Sequence, residues 1–180
     1  QLLISGPSGC GKSTLLALIA GIMVAPKGSV KLLGVDLASL TAAHRDRFRA
    51  DHIGIVFQQF NLIPYLSALD NMVLACRLSS RRSQSFSTVN SMRDAARKLA
   101  NDLDLDAKAI ARPVTQLSNG QQQRVAAVRA LLGEPELLLA DEVFLTNAIK
   151  RMRWVSNMGD VFYKNEQTKA IYHSCFDLAE

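Results

Sequence analysis

The chain lacks most of what would place it outside an ordinary folded domain. Its only cysteines are Cys10, Cys76 and Cys175, odd in number and far apart. They make neither a disulfide framework nor a metal-ligand spacing, so a reducing compartment is expected. There is no long apolar run. The longest, residues 15–24, is interrupted by Gly21 and falls short of the roughly 20 apolar residues that cross a bilayer. There is no long low-complexity tract, and charged residues make up 21%, which excludes wholesale disorder. No basic n-region and no starting Met precede Gln1-Leu2-Leu3-Ile4, so no secretory signal is visible. An opening this abrupt leads us to expect a missing N-terminal piece.

What is present suits one core with room for a small subdomain: 180 residues, 48% of them hydrophobic. The net charge is +5. Its basic residues stand in short clusters (Arg45, Arg47, Arg49; Arg81, Arg82) and not in a run with aromatic neighbours. That favours a solvated surface over a nucleic-acid or anionic-lipid face, and no nucleic-acid partner is expected.

The strongest signal is Gly6-Pro7-Ser8-Gly9-Cys10-Gly11-Lys12-Ser13-Thr14, which fits G-x-x-x-x-G-K-[ST]. Leu2-Leu3-Ile4-Ser5 before it reads as a short buried strand, and residues 15–22 after it read as a helix with an apolar face. Strand, glycine loop and helix are the context the motif needs. The glycines let backbone N–H groups turn toward phosphate oxygens, and the helix N-terminus adds its dipole. Lys12 is expected to reach the β- and γ-phosphates, and the Ser13 hydroxyl to ligate Mg²⁺. Cys10 sits inside this loop. A reactive thiol and a small space-filling residue are both open readings, the second favoured.

Further along, Pro26-Lys27-Gly28-Ser29 reads as a turn, residues 30–33 as a strand and Gly34 as a second turn. Residues 41–50 read as a basic helix and Ile53-Gly54-Ile55-Val56-Phe57 as a strand. The stretch Ile-Gly-Ile-Val-Phe-Gln-Gln-Phe-Asn-Leu-Ile-Pro-Tyr-Leu-Ser-Ala-Leu-Asp-Asn, residues 53–71, resembles the glutamine loop of ABC-transporter ATPases. It is most similar to the subunits of lipoprotein-releasing and macrolide-exporter systems. The resemblance implies that Gln58 contacts Mg²⁺ or the attacking water, and that its loop couples nucleotide state to a membrane partner. An amide suits this work because it donates and accepts without charge.

From residue 62 to about 112 the pattern turns helical, with apolar spacing over 68–78 and 91–103. The Ser- and Arg-rich stretch 79–88 between them is expected to be an exposed loop. Leu117-Ser118-Asn119-Gly120-Gln121-Gln122-Gln123-Arg124 then resembles the ABC signature, with Asn119 where the family has Gly. In the family this loop reaches across a dimer to the partner's ATP, which implies phosphate contacts from Ser118, Gly120 and Gln121. A helix-capping role is the competing reading. Leu137-Leu138-Leu139-Ala140-Asp141-Glu142 reads as a buried parallel strand ending in two carboxylates. Asp141 is expected to hold Mg²⁺ and Glu142 to orient the attacking water as general base.

After Glu142 the family pattern stops. Val143-Phe144-Leu145-Thr146-Asn147 stands where the family has Pro and then a D-loop. His173 lies in a poor context for the switch histidine and reads as an ordinary helix-surface histidine. The segment from Ala140 through Thr146, Asn147, Met152, Trp154 and Val155 resembles instead the C-terminal region of class IV pyridoxal-phosphate aminotransferases and aminodeoxychorismate lyases. A join between unrelated genes would produce such an overlap. Lys150, Lys164 and Lys169 lack the context of a Schiff-base lysine, so transaminase chemistry is not expected.

The expected fold is α/β: a P-loop NTPase core with a mainly parallel sheet and an inserted helical subdomain, incomplete at both sheet ends. The expected parts are 1–61 (first part of the core), 62–130 (helical signature subdomain), 131–142 (core strand with the acidic pair) and 143–180 (atypical tail). The resemblance implies an ATP- and Mg²⁺-binding subunit, cytoplasmic and peripheral at the inner face of the membrane. Its partners would be a membrane-spanning subunit and a second ATPase subunit. The missing D-loop makes low or absent turnover the expectation, and a nucleotide-binding module without turnover the alternative. A DNA-repair ATPase with the same signature is a third reading, and the interval between Lys12 and Ser118, far too short for that class's long coiled coil, argues strongly against it.

Overall fold

Two short runs make the parallel sheet among the described residues. Ile53–Val56 (β3) and Leu137–Ala140 (β4) run in register from Ile53 opposite Leu137 to Val56 opposite Ala140. Parallel strands need a long crossover, and here the regular elements between them are all helical. The computed structural model describes Ile4, Pro7 and residues 9–140. The expected strand 2–5, the acidic pair Asp141 and Glu142, His173 and the whole tail lie outside the described residues, apart from Ile4.

Lys12–Ile19 (α1) precedes the sheet in the chain, and its Leu16 and Ile19 pack with Ala20 on Ile53, Ile55, Leu137 and Leu139. Lys31–Leu32 (β1) and Val35–Asp36 (β2) form a tight antiparallel hairpin, where the sequence suggested a single strand ending in a turn. Its two corner residues, Leu33 at φ 50° and Gly34 at φ 79°, are both left-handed, the conformation that matches strand twist in a two-residue turn. Ala42–His52 (α2) follows, with Thr41 as N-cap accepting from the His44 N–H. The basic cluster on α2 is used internally. Arg45 Nε and Arg49 Nη1 donate to the Gly21 carbonyl at 3.0 and 3.4 Å, closing the chain that leaves α1.

The helical part comprises Ala68–Leu78 (α3), Ser80–Ser83 (α4), Val89–Asp102 (α5), Ala107–Ala111 (α6) and Asn119–Leu131 (α7). Met72, Val73 and Cys76 of α3, Met92, Ala96 and Ala100 of α5, and Val125 and Val128 of α7 build one core. Arg93 of α5 ties to Asp70 of α3 at 2.6 Å. The small residues Ala126 and Ala130 of α7 turn the other way, onto Val56 of β3. Their contact is so close that a Cβ on Gly54 would lie 2.2 Å from the Ala130 carbonyl oxygen. Glycine at position 54 is therefore a packing requirement.

The stretch 79–88 corrects the sequence reading. It is not simply an exposed loop: residues 80–83 are helical, and Ser79 and Arg82 are each only 1% exposed. Ser79 Oγ donates to Asp51 and accepts from the Arg82 N–H, so one hydroxyl both caps α4 and ties it to α2. Arg81 pairs with Glu136, which also bonds His52. The Arg82 side chain lies beside Cys76 and Gly133 with Nη1 3.5 Å from the Ala130 carbonyl, and burial lowers its pKa. Composition pointed to solvent; the buried Ser79 hydroxyl is satisfied by Asp51 and the Arg82 N–H, whereas Arg82 is buried with its Nε and Nη2 unpartnered among the described residues.

Two outcomes follow for stability. Gly54→Ala should force α7 off β3 and lower the unfolding free energy by about 1–3 kcal/mol, read by urea unfolding. An unchanged midpoint would contradict the close approach. Burial pushes the Cys76 thiol from 9.0 up to about 11, partly opposed by Arg82. The unfolded chain then releases this proton first, so the contribution of Cys76 is whole below pH 9 and is withdrawn as pH rises toward 11. Unfolding measured across that window should show the loss, and Cys76→Ala should flatten it.

Candidate functional site

Glycines at the head of α1 shape the loop that precedes it. Gly9 and Gly11 are left-handed, at φ 82° and 94°, and a Cβ on either would meet nothing within 4 Å. Conformation, not crowding, is what calls for glycine here. The Cys10 N–H bonds the Pro7 carbonyl at 3.3 Å. Lys12 Nζ donates to the same carbonyl at 2.9 Å and lies 3.8 Å from Cys10 Sγ. Cys10 is exposed, so the favoured space-filling reading does not hold: the thiol fills no interior gap. Ser13 and Thr14, in the first turn of α1, are exposed. Gly6 and Ser8 lie outside the described residues.

Ser13 also lines a hollow between α1 and the sheet, shared with Leu16, Ala17, Ile55, Phe57 and Leu139. Phe57 is the chain neighbour of Gln58. The Phe60 N–H closes a turn onto the Phe57 carbonyl at 2.9 Å, with Gln58 and Gln59 exposed at its corners. Phe60 and Asn61 then take the left-handed conformation, φ 58° and 47°. Their carbonyls accept from Arg129 of α7, Nη2 to Phe60 at 2.6 Å and Nη1 to Asn61 at 2.7 Å. The far end of the loop is held by Asn71 of α3, wholly buried. Its Oδ1 accepts from the Ile63 N–H at 2.8 Å, and its Nδ2 donates to the carbonyls of Ile63 and Ser67 at 3.0 and 3.1 Å.

Reading the sequence missed both anchors. A lone arginine inside Val-Ala-Ala-Val-Arg-Ala-Leu-Leu was the available signal for Arg129. Burial lowers the pKa of its guanidinium, and among the described residues it pairs with no carboxylate.

Ser118, Gly120 and Gln121 form the start of α7. Ser118 is its N-cap, accepting from the Gln121 N–H at 3.3 Å, while Gln121 Oε1 accepts from the Ser118 N–H at 3.0 Å. This reciprocal capping box satisfies two N–H groups that the helix itself leaves open. It leaves the Ser118 hydroxyl hydrogen available as a donor. Asn119 is the first helical residue and takes no positive φ, so its side chain costs the backbone nothing here. Gly120 is unlike Gly54: the nearest atom to a Cβ there is Arg124 Nη1 at 3.9 Å. Nothing among the described residues requires glycine at 120.

Hard oxygen donors are what Mg²⁺ takes, usually one or two from protein with phosphate and water supplying the rest. The Ser13 hydroxyl and the Gln58 amide are of that kind, and the neighbourhood of Ser13 and Phe57 around one hollow suits them. Among the described residues no group of three or more His, Cys, Asp or Glu could form a fuller protein cage.

The sequence matches the ABC transporter family over residues 1–145. It is 42% identical over 145 residues to an uncharacterized ABC transporter ATP-binding protein of Mycobacterium bovis, covering 78% of this chain and 41% of that protein. It is 43% identical over 137 residues to the uncharacterized ABC transporter ATP-binding protein YbbA of Escherichia coli, covering 76% of this chain and 57% of that one. The dimeric structure of MJ0796, a bacterial ABC transporter cassette, superposes with a TM-score of 0.69 at 38% identity, covering 76% of this chain and 58% of that chain. The same cassette has also been solved as a dimer in a post-hydrolysis state bound to ADP and Pi. This chain thus spans between 41% and 58% of the length of these relatives. Glycine loop, glutamine turn, capped signature helix and parallel strand pair agree with that match, and the chain belongs to the ABC transporter family.

Proposed function

We propose that this chain is an ATP-binding subunit of an ABC transporter, of the type that serves lipoprotein release or macrolide export, working through a separate membrane-spanning subunit. The glycine loop carries the reading. Gly9 and Gly11 hold left-handed backbone directly ahead of Lys12 and α1, and among the described residues nothing comes within 4 Å of a Cβ on either. Phosphate oxygens would occupy that space, taken up by backbone N–H groups, and Lys12 would exchange the Pro7 carbonyl for the β- and γ-phosphates. Ser13 would hold Mg²⁺, with Gln58 and Asp141 as further oxygen donors, and Glu142 would orient water.

Ser118, Gly120 and Gln121 are assigned to the ATP of a second ATPase subunit, a copy of this chain or a paired one. The bare surface at Gly120, unexplained by packing within the chain, supports an approach from outside. The division into 1–61, 62–130, 131–142 and 143–180 is part of the same proposal, with α3–α7 as the helical subdomain. The aminotransferase-like stretch after Glu142 is read as foreign to the cassette. A place at the inner face of the membrane follows from the proposed partner. Among the described residues no helix is long and apolar enough to cross a membrane.

Calorimetry with MgATP tests the site. Saturable binding is expected, weakened at least about tenfold by Lys12→Ala, since charge-assisted bonds to phosphate of this kind carry one to two decades of affinity. Equal affinity in the variant would remove Lys12 and its loop as the site.

A further inference from the structure

The turn that presents Gln58 closes with two backbone bonds, Phe60 N–H to the Phe57 carbonyl at 2.9 Å and Asn61 N–H to the Gln59 carbonyl at 2.6 Å, and runs straight into two consecutive left-handed residues without glycine. Such backbone persists only where its surroundings hold it. Here a side chain adds to the local bonding: the planar fork of Arg129 spans the carbonyls of Phe60 and Asn61. The Phe60 ring packs beside Ala126 and Ala130, the small residues on either side of Arg129 in α7, so side chain and carbonyl dock on the same helix. The other end of α7 is the capped signature. From Ser118 to Arg129 the helix is about 16 Å of rigid rod at 1.5 Å per residue.

We propose that Arg129 is a positioning residue for Gln58, fixing the glutamine turn to the helix that carries the signature so that the two move as one body. The inference rests on the proposed reading of Gln58 as a residue that meets Mg²⁺. Asn71 cannot substitute, because it grips the loop at Ile63 and Ser67, beyond the left-handed pair. Lysine cannot fully substitute either: one ammonium does not present the fixed two-pronged fork that meets both carbonyls.

Two measurements on the full chain decide it. Amide hydrogen exchange is read in wild type, Arg129→Met and Arg129→Lys. Faster exchange at Phe60 and Asn61 is expected in Arg129→Met, at least about tenfold, with protection in α3 and α5 unchanged. Arg129→Lys should fall between, and it decides alone if the methionine variant does not fold. Unchanged exchange at the turn overturns the proposal whether or not nucleotide binds.

The second measurement is the ratio of ATP affinity with and without Mg²⁺. Gln58→Ala should lower this ratio, Arg129→Met should lower it as far, and the double variant should lower it no further. A role confined to general stability would not move the ratio. A ratio lowered by Gln58→Ala and untouched by Arg129→Met overturns the proposal, as does a ratio that Gln58→Ala leaves intact. If wild type binds no ATP, the proposed function fails, and the exchange result by itself rules on the clamp.

Discussion

Gly54 of β3 lies against the backbone of Ala130 on α7 with no room for a Cβ between them, and the arrangement around it depends on that contact. With no side chain at 54 and only methyl groups at 126 and 130, helix and strand meet closely. The carbonyls at the end of α7 are thereby brought to the elements beyond it. Ala130 faces Arg82 of α4, and Leu132 accepts from the thiol of Cys76 on α3. A bulkier interface would move all of these together, since packed interiors transmit displacement and do not absorb it.

That placement gives α7 three duties along one rod. Its first turn displays Ser118 and Gly120, its middle fills the core between α3 and α5, and its last turns both abut β3 and hold the glutamine loop. The loop is gripped at two points by side chains of two helices, Arg129 and Asn71, each bonding backbone groups. Within the loop Pro64 and Tyr65 stay exposed, Tyr65 at 83%. An element fixed at both ends and open in the middle is suited to present a surface without surrendering its position.

The elements that the chain spelled out were those written in apolar periodicity. α3 occupies 68–78 as its spacing implied, and β3 and β4 follow the runs at 53–57 and 137–140. The start of α5 was two residues off, because Thr88 and Ser91 cap it through side chains and leave no apolar mark. Residues 79–83 misled because composition gives no sign of which groups will meet them: Glu136 pairs with Arg81, and Asp51 accepts from the Ser79 hydroxyl. The left-handed Phe60 and Asn61 were illegible for a related reason: their carbonyls are held by Arg129, 69 and 68 residues away in the chain. Of the candidate site, the motif residues could be named from their order. The residues that hold them in place could not, because a clamp on a carbonyl has no motif.

Arg93 of α5 pairs with Asp70 of α3, while Arg97 with Asp94 and Arg49 with Asp46 are pairs one turn apart within α5 and within α2. The two grips on the glutamine loop use no carboxylate, only a guanidinium on carbonyls and a neutral amide on backbone. Mobile ions screen charge against charge across partly wetted surfaces far more than they screen short contacts between a partly buried cation and a dipole. Raising ionic strength would therefore weaken the carboxylate pairs first. The loop and the helix behind it would keep their geometry in brine that had already dissolved the surface pairs.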